Sequence, residues 1–271
     1  MSLRATNLSY LHSGRVILDQ VSIRLEAGRV VALLGQNGAG KSTLLRLLAG
    51  ELRPKSGCVE LDQRRLGTWD PLLLARRRAV MMQREHLPFS FNAAQVVALG
   101  RLPWRQREDS ASEQNIVAEA LAAAGAANLA MRRYPTLSGG ERARVQLARA
   151  LAQIAPLPGT KPEPAYLLLD EPTASFDFGF QHDCLAAVRR LSRNNVGVLA
   201  ILHDPNLALR YADTVALLHE HAIIATGAPD AVLTPERIEQ VYGLKTARVD
   251  HAGDLYISAQ APSPETLRPA P

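Results

Sequence analysis

The chain has 271 residues, of which 47% are hydrophobic and 21% charged, as in an ordinary globular protein. A run of about 18 apolar residues, which a membrane-spanning helix requires, does not occur, and the first residues lack the apolar core of a secretory signal, so we expect a cytoplasmic protein. The net charge of +5 comes mostly from arginine without a basic block interleaved with aromatic residues, which argues against a nucleic-acid partner.

The first predicted elements are short strands followed by one helix. Residues 3 to 34 contain LRATNLSY, VILDQVSIRL and RVVALLG. The alternation in VSIRL predicts a half-buried antiparallel strand, whereas VVALL predicts a strand buried on both faces. KSTLLRLLAG predicts a helix that ends at Gly50, and CVELDQ predicts the next strand. This part of the chain is therefore predicted to form an N-terminal antiparallel β subdomain beside a buried strand.

The middle of the chain is predicted to be helical. From residue 70 to 155 the composition changes, and the apolar residues of NAAQVVALGRL and SEQNIVAEALAAAG recur at helical spacing. We predict an inserted helical subdomain over about residues 84–155. Strand patterns then resume in AYLLLD, VGVLAILH, TVALLH and AIIATG. Apolar strands that alternate with helices indicate an α/β fold with a mostly parallel core sheet.

The remaining segments are predicted to be loops and an extension. Residues 155–165, APLPGTKPEPA, form a Pro-rich surface loop, and we expect the end of the C-terminal segment 246–271 to be disordered. One large domain is predicted over residues 1–245. Cys58 and Cys184 are far apart without metal-ligand spacing, and we expect two reduced, buried thiols.

GQNGAGKS, from Gly35 to Ser42, matches the phosphate-loop pattern G-x-x-x-x-G-K-[ST], with a predicted strand before it and a helix after it. The glycines allow backbone N–H groups to converge on phosphate oxygens, and the helix N-terminus adds partial positive charge. We expect Lys41 to reach the β- and γ-phosphates and Ser42 to ligate Mg²⁺. The residues predicted to bind nucleotide here are Gly35, Gln36, Asn37, Gly38, Ala39, Gly40, Lys41, Ser42 and Thr43.

Polar residues follow the predicted strands of the same sheet. LLLD ends at Asp170, the carboxylate expected to orient Mg²⁺, and Glu171 is a candidate general base for an attacking water. Gln83 follows another apolar stretch and is a candidate to touch Mg²⁺ or the attacking water. His203 ends a strand at the edge where ligands collect in such sheets. A surface glutamine and an edge histidine without a catalytic role remain the alternatives for these last two residues.

LSGGERARVQLARA, residues 137–150, has the features of a second phosphate loop. Ser138 precedes Glu141 by the spacing of a capping box, and Gly139 and Gly140 leave the backbone open before an amphipathic stretch. A domain that binds one nucleotide has no evident need for two such loops.

These motifs resemble, in their order, those of the ATPase subunits of ATP-binding-cassette (ABC) transporters, over roughly residues 3 to 245. The resemblance implies the P-loop NTPase cassette fold, ATPase activity, and ATP and Mg²⁺ as cofactors. It adds Tyr10 as the aromatic residue that stacks on adenine. The residues that carry the resemblance are Tyr10, the phosphate loop, Gln83, LSGGE at 137–141, LLLDEP at 167–172, Asp177 and His203.

The resemblance also accounts for the second loop. In this family two cassettes pair head to tail, so Ser138, Gly139 and Gly140 of one copy face the γ-phosphate bound by the other. Glu171 then activates water, His203 contacts the γ-phosphate, and Asp177 links the two sites. The implied assembly is a homodimer on a separate membrane permease dimer, peripheral at the cytoplasmic face of the inner membrane and indirectly served by a periplasmic substrate-binding protein.

Three stretches bear on the cargo. Residues 83–104 resemble cassettes of importers for iron chelates, haem and cobalamin, as does HDPNLALRYAD, with Pro205 in place of leucine. The loop before Tyr166 and FDFGFQHDCL most resemble haem importers, which implies haem (haemin) import. A ferric-siderophore or cobalamin importer, an exporter component and a nucleic-acid-associated ATPase are the alternatives. His219 and His221 are interpreted as the ends of a hairpin turn, not as a haem site.

Overall fold

A computed structural model describes residues 1–82, 90–104, 110–160, 163–174 and 176–260. The strands in these ranges are β1 Ser2–His12, β2 Arg15–Glu26, β3 Val30–Gly35, β4 Ser56–Leu61, β5 Arg64–Arg65, β6 Arg78–Met81, β7 Ala165–Leu169, β8 Val196–Ile201, β9 Thr214–His219, β10 Ala222–Gly227, β11 Thr246–His251 and β12 Asp254–Ala259. The α-helices are α1 Lys41–Leu48, α2 Pro71–Arg77, α3 Ala93–Ala98, α4 Ser110–Ala123, α5 Gly139–Ile154, α6 Phe178–Ser192, α7 Pro205–Tyr211, α8 Pro229–Val232 and α9 Pro235–Tyr242.

The central sheet has the strand order β10-β9-β3-β8-β7-β6. All neighbouring strands in it are parallel except the edge strand β10, which is antiparallel to β9. Every residue of β3, β7 and β8 is buried, as expected for strands covered on both faces. The predicted α/β fold with a mostly parallel core sheet is confirmed.

The two faces of this sheet carry different layers. Leu33 of β3 and Leu168 of β7 belong to one core with α1 and the antiparallel sheet β2-β1-β4-β5. Leu34 and Leu169 belong to a second core with helices α3 to α7. Neighbouring residues of a strand point to opposite faces, so α1 and α5 lie on opposite sides of the sheet. The antiparallel and helical parts are both as predicted.

Helix ends follow local sequence signals. The side chain of Asp70 caps α2, which begins at Pro71, and Asn92 forms a capping box with Gln95 at the start of α3. The helix predicted over NAAQVVALGRL is shorter than expected, because α3 ends at Ala98 and a 3₁₀ segment, Leu99–Trp104, follows. No helix in the described ranges has the length and apolar character needed to cross a membrane.

The C-terminal extension begins with a hairpin that the sequence analysis did not predict. Strands β11 and β12 form an ordered hairpin through Ala259, attached to α7 through the side chain of Asn206, which bonds both the amide and the carbonyl of Ile257. The prediction missed it because most of its residues are exposed and give no apolar alternation to read. Residues 261–271 lie outside the described ranges. Cys184 is buried as expected, but Cys58 is only half-buried.

Candidate functional site

The predicted site residues meet where three parallel strands end. The phosphate loop follows β3, Asp170 and Glu171 follow β7, and His203 follows β8. Strand β8 lies between β3 and β7 in the sheet, so all three ends share one edge. Ligands of open α/β sheets bind at this carboxyl edge. Gln83, predicted to join them, lies outside the described residues.

Two glycines give the phosphate loop its shape. Gly35 has φ 154°, and a Cβ at this position would lie 2.3 Å from the carbonyl oxygen of Leu218. Gly40 has φ 104°, and its Cβ would lie 2.9 Å from the carbonyl oxygen of Ile17. Backbone approaches this close admit only glycine. The strand β9 and the β1–β2 hairpin therefore hold the loop from two sides.

Lys41 lies folded into the phosphate loop. Its Nζ donates hydrogen bonds to the carbonyl oxygens of Gly35 (2.7 Å) and Gln36 (2.8 Å). Burial lowers the pKa of Lys41, and the nearby carboxylates of Glu171 and Asp170 oppose this shift. Gly40 caps α1 without a side-chain hydrogen bond, which leaves the first amides of the helix for a phosphate.

Ser42 and Asp170 form an oxygen pair suited to a hard cation. The Ser42 hydroxyl donates to a carboxylate oxygen of Asp170 at 3.2 Å. Asp170 is only 3% exposed, and this burial raises its pKa, against the opposing effect of the Ser42 hydrogen bond. Mg²⁺ is commonly held by one or two protein oxygens together with substrate phosphates and waters. In the described ranges no cluster of three acidic, histidine or cysteine residues offers a complete metal site by itself.

Asp170→Asn is expected to make the fold more stable while it removes the effect of Mg²⁺ on ATP binding. Because burial raises the pKa of Asp170, its carboxylate destabilises the nucleotide-free fold at neutral pH, where it is charged. The neutral amide is expected to raise the melting temperature by about 2–4 °C, the shift that about 1 kcal/mol causes in a domain of this size. It is also expected to abolish the tightening of ATP binding by Mg²⁺. Thermal melts and nucleotide titrations measure both effects, and an unchanged dependence on Mg²⁺ would contradict this role of Asp170.

Glu171 and His203 contact each other at the same edge. The Nε2 atom of His203 lies 2.7 Å from Oε1 of Glu171. Glu171 has φ 52°, a left-handed conformation that costs energy for a residue other than glycine and is concentrated at functional sites. The side chain of His203 is 44% exposed at this carboxyl edge of the sheet. A carboxylate beside a histidine can accept and pass on a proton from water.

Ser138 and Glu141 form the capping box that their spacing predicted. The Ser138 hydroxyl accepts from the Glu141 amide at 3.2 Å, and the Glu141 carboxylate accepts from the Ser138 amide at 2.8 Å. This bond is the main cause of the lowered pKa of Glu141, and Arg132 adds an ion pair at 2.5 Å. The hydroxyl acts as an acceptor in this cap, so its proton can be donated to a phosphate. Helix α5, which follows this loop, lies on the face of the sheet opposite α1, which follows the phosphate loop of the same chain.

The remaining predicted residues have clear positions. Tyr10 is half-buried in β1 opposite Leu18, and a Cβ on Gly40 would lie 2.9 Å from the Leu18 side chain. Tyr10 therefore lies on the hairpin that borders the phosphate loop. Asp177 caps α6 by accepting from the amide of Phe180 at 2.9 Å, a structural role that the sequence analysis did not assign to it.

Asp213 supports the strand that leads into the phosphate loop, and the sequence analysis did not predict this role. One carboxylate oxygen accepts from the amide of Val30 at 2.8 Å, and the other accepts from Arg189 at 3.0 Å. Asp213 thus anchors the start of β3, the strand that leads into the phosphate loop. The partners are 183 and 24 residues away in the chain, so no local pattern indicates them.

Comparison with known proteins assigns the family. Residues 18–174 match the ABC transporter family model, and the chain belongs to this family. It is an ATP-binding subunit whose ATPase activity is coupled to transport. Its relatives include the hemin import ATP-binding protein HmuV of Burkholderia pseudomallei, 50% identical over 93% of this chain and 96% of that protein. The protein of the same name from Gloeobacter violaceus is 47% identical over 92% of this chain and 90% of that protein.

Solved structures agree with this assignment. An inward-facing metal-chelate type ABC transporter has a chain with a TM-score of 0.78 and 25% identity, covering 98% of this chain and 99% of that one. A nucleotide-free ATP-binding cassette from an ABC transporter gives a TM-score of 0.72 at 24% identity over 90% and 96% of the two chains, and it supports the fold alone. The predicted cassette fold is therefore confirmed.

Proposed function

We propose that this chain is the ATP-hydrolysing subunit of a bacterial haem (haemin) importer, in which two copies drive a separate membrane permease. The observation that carries the cargo is the identity of 50% and 47%, over more than nine tenths of the chain, to proteins named for hemin import. The loop before Tyr166 and the stretch FDFGFQHDCL, residues 176–185, resemble those of haem importers and add support from the sequence.

In the proposed binding step, ATP displaces Lys41 from the loop carbonyls. The backbone amides of the loop, the N-terminus of α1 and the Lys41 ammonium then hold the β- and γ-phosphates. Ser42 and Asp170 would hold Mg²⁺, which would neutralise charge on the β- and γ-phosphates. Tyr10, on the hairpin beside the loop, stacks on the adenine.

In the proposed chemical step, Glu171 is the general base. It removes a proton from a water aimed at the γ-phosphate, while His203, 2.7 Å away, contacts the phosphate and keeps the carboxylate oriented. The water oxygen bonds to the γ-phosphorus as the bond from that phosphorus to the β-phosphate oxygen breaks, and ADP and phosphate are released. The side-chain amide of Gln83 would contact Mg²⁺ or that water. Buried Asp170 would hold the metal while Glu171 accepts the proton, so the two neighbouring acids would have different roles.

In the proposed assembly, Ser138, Gly139 and Gly140 complete the nucleotide site of a second copy. Helix α5, which follows these residues, packs on the face of the sheet opposite α1, and this supports contact with the nucleotide of another copy. The nucleotide then forms part of the interface, so ATP favours the closed dimer and hydrolysis opens it. Asp177 connects the two composite sites.

We infer that the dimer is a peripheral assembly at the cytoplasmic face of the inner membrane. Its direct partner is an integral permease dimer, and a periplasmic substrate-binding protein delivers the cargo to that permease. The substrate never touches the ATPase subunit, and nucleic acid has no part in the cycle. Cargo identity therefore needs a transport experiment.

Transport in proteoliposomes with the cognate permease and binding protein tests the cargo. Haem is expected to accumulate only with ATP, and the Glu171→Gln variant is the matched control that binds nucleotide without turnover. Ferric siderophore and cobalamin are offered in parallel. Uptake of cobalamin or siderophore without uptake of haem would overturn the haem assignment and leave the ATPase assignment in place.

A further inference from the structure

The C-terminal end of α5 is held by a short segment, Leu99–Trp104, which we call the α5 clamp. Within it, Arg101 is 1% exposed, and its Nη1 donates to the carbonyl oxygens of Ala152 (2.7 Å) and Ala155 (2.8 Å). The Arg101 guanidinium lies 4.9 Å from the ring centroid of Trp104. Arg101 therefore binds the last carbonyl groups of α5 with a fully buried charge.

The rest of the clamp contacts the same helix end. The indole Nε1 of Trp104 donates to the carbonyl of Gln153 at 2.8 Å. A Cβ on Gly100 would lie 2.3 Å from the carbonyl oxygen of Arg149, so its backbone packs directly on α5. The last carbonyls of a helix have no partners inside the helix and carry partial negative charge, which an arginine neutralises. The clamp thus fixes both the position and the rotation of this end.

The clamped end is also tied to the nucleotide-binding layer. The Gln153 amide donates to the carbonyls of Ala75 (2.8 Å) and Arg78 (3.0 Å), at the end of α2 and the start of β6. Strand β6 ends at Met81, whose carbonyl accepts from the Asp170 amide at 2.8 Å. The clamped end of α5 is therefore hydrogen-bonded to α2 and to the start of β6, and the other end of β6 contacts Asp170.

The other end of α5 begins after Ser138. A helix of 16 residues is about 24 Å long, so a tilt of about 5° at the clamped end moves Ser138 by about 2 Å. Misplacement by about 1 Å lowers rates by about a hundredfold where groups must be oriented. The clamp is separated from Ser138 by the length of α5, but it sets the direction of the helix and therefore the position of the loop that contains Ser138.

We propose that Arg101 is a positioning residue for the Ser138 loop, acting through α5, so that it controls the composite site of the partner copy and not the nucleotide site of its own chain. This inference rests on the proposed dimer. A purely structural arginine would instead affect stability, with ATP binding and turnover falling together.

The test uses Arg101→Lys, which keeps the charge but lacks the planar group that reaches two carbonyls and stacks on indole. The expected result is a loss in kcat of about tenfold, with unchanged ATP affinity of the monomer and weaker ATP-dependent dimerisation in the Glu171→Gln background. Trp104→Phe, which keeps a ring but loses the bond to Gln153, is expected to change the same quantities less. Arg77→Lys is the matched control, because Arg77 pairs with Asp62 and Glu163 instead of α5.

A double-mutant cycle distinguishes positioning from stability. If Arg101 acts through Ser138, Arg101→Lys has little further effect on kcat in a Ser138→Ala background. Full kcat in Arg101→Lys, additive losses with Ser138→Ala, or an equal loss of ATP affinity in the monomer would each overturn the proposal. Failure of Glu171→Gln alone to dimerise with ATP would instead refute the proposed dimer, so the two failures are distinguishable.

Discussion

Replacement of Glu171 by glutamine is expected to lower ATP turnover by about 10²–10⁴-fold, the contribution of a general base, while ATP binding stays intact. The physical reason is that the amide keeps the size and the contact to His203 but cannot accept the proton of the attacking water. Phosphate release measures turnover, and a fluorescent nucleotide measures affinity. With turnover blocked, Mg·ATP is also expected to trap a dimer that light scattering detects.

Glu220→Gln is the matched control for this substitution. Glu220 lies in the β9–β10 turn with its side chain 84% exposed, and it also has a positive φ, 43°. The same chemical change there is expected to leave turnover unchanged. Undiminished ATP hydrolysis in Glu171→Gln would exclude Glu171 as the base.

Ser138→Arg is expected to reduce the rate of ATP hydrolysis about 10²–10³-fold, an effect comparable to that of Glu171→Gln. This is the loss expected when a group that stabilises charge in the transition state is removed. A bulky side chain at the start of α5 blocks the approach of the partner's γ-phosphate. A single subunit is nevertheless expected to bind ATP with its normal affinity, because its own phosphate loop, which follows β3, does not include Ser138. Equilibrium binding to dilute protein measures this.

The control for Ser138→Arg is another helix cap. Thr234 caps α9 by accepting from the Arg237 amide at 3.3 Å, so Thr234→Arg removes a cap of similar worth, about 1 kcal/mol. It is expected to lower stability without lowering hydrolysis. If Ser138→Arg abolishes ATP binding by the dilute subunit, Ser138 belongs to the nucleotide site of its own chain.

The two helix N-termini explain why one chain has two loops of similar composition. Helix α1 begins at Lys41, after the N-cap residue Gly40, without a side-chain cap, so its first amides can bind phosphate of the same chain. Helix α5 begins with a complete capping box, which uses the Glu141 amide and leaves those of Gly139 and Gly140 for a ligand from outside. Both loops could be predicted from the sequence because glycine spacing and helix caps are local properties.

Other features could not be predicted from the sequence because they depend on contacts between residues that are far apart in the chain. The position of His203 at the sheet edge was predictable from the end of a strand, but its 2.7 Å contact with Glu171 was not. The anchoring of β3 by Asp213 and the binding of α5 by Arg101 join residues 183 and 51 positions apart. A buried arginine contradicts the usual link between polarity and exposure. The terminal hairpin is mostly exposed and gives no apolar alternation, so the sequence indicated neither feature.

Mixing two inactive variants tests most directly whether each copy completes the nucleotide site of the other. Lys41→Ala has a defective phosphate loop and an intact Ser138 loop, and Ser138→Arg has the reverse. A mixed dimer then contains one intact composite site, and equal mixing is expected to restore about a quarter of wild-type ATPase activity, because about half of the dimers are mixed. Activity no higher than the sum of the two separate variants would contradict the shared site.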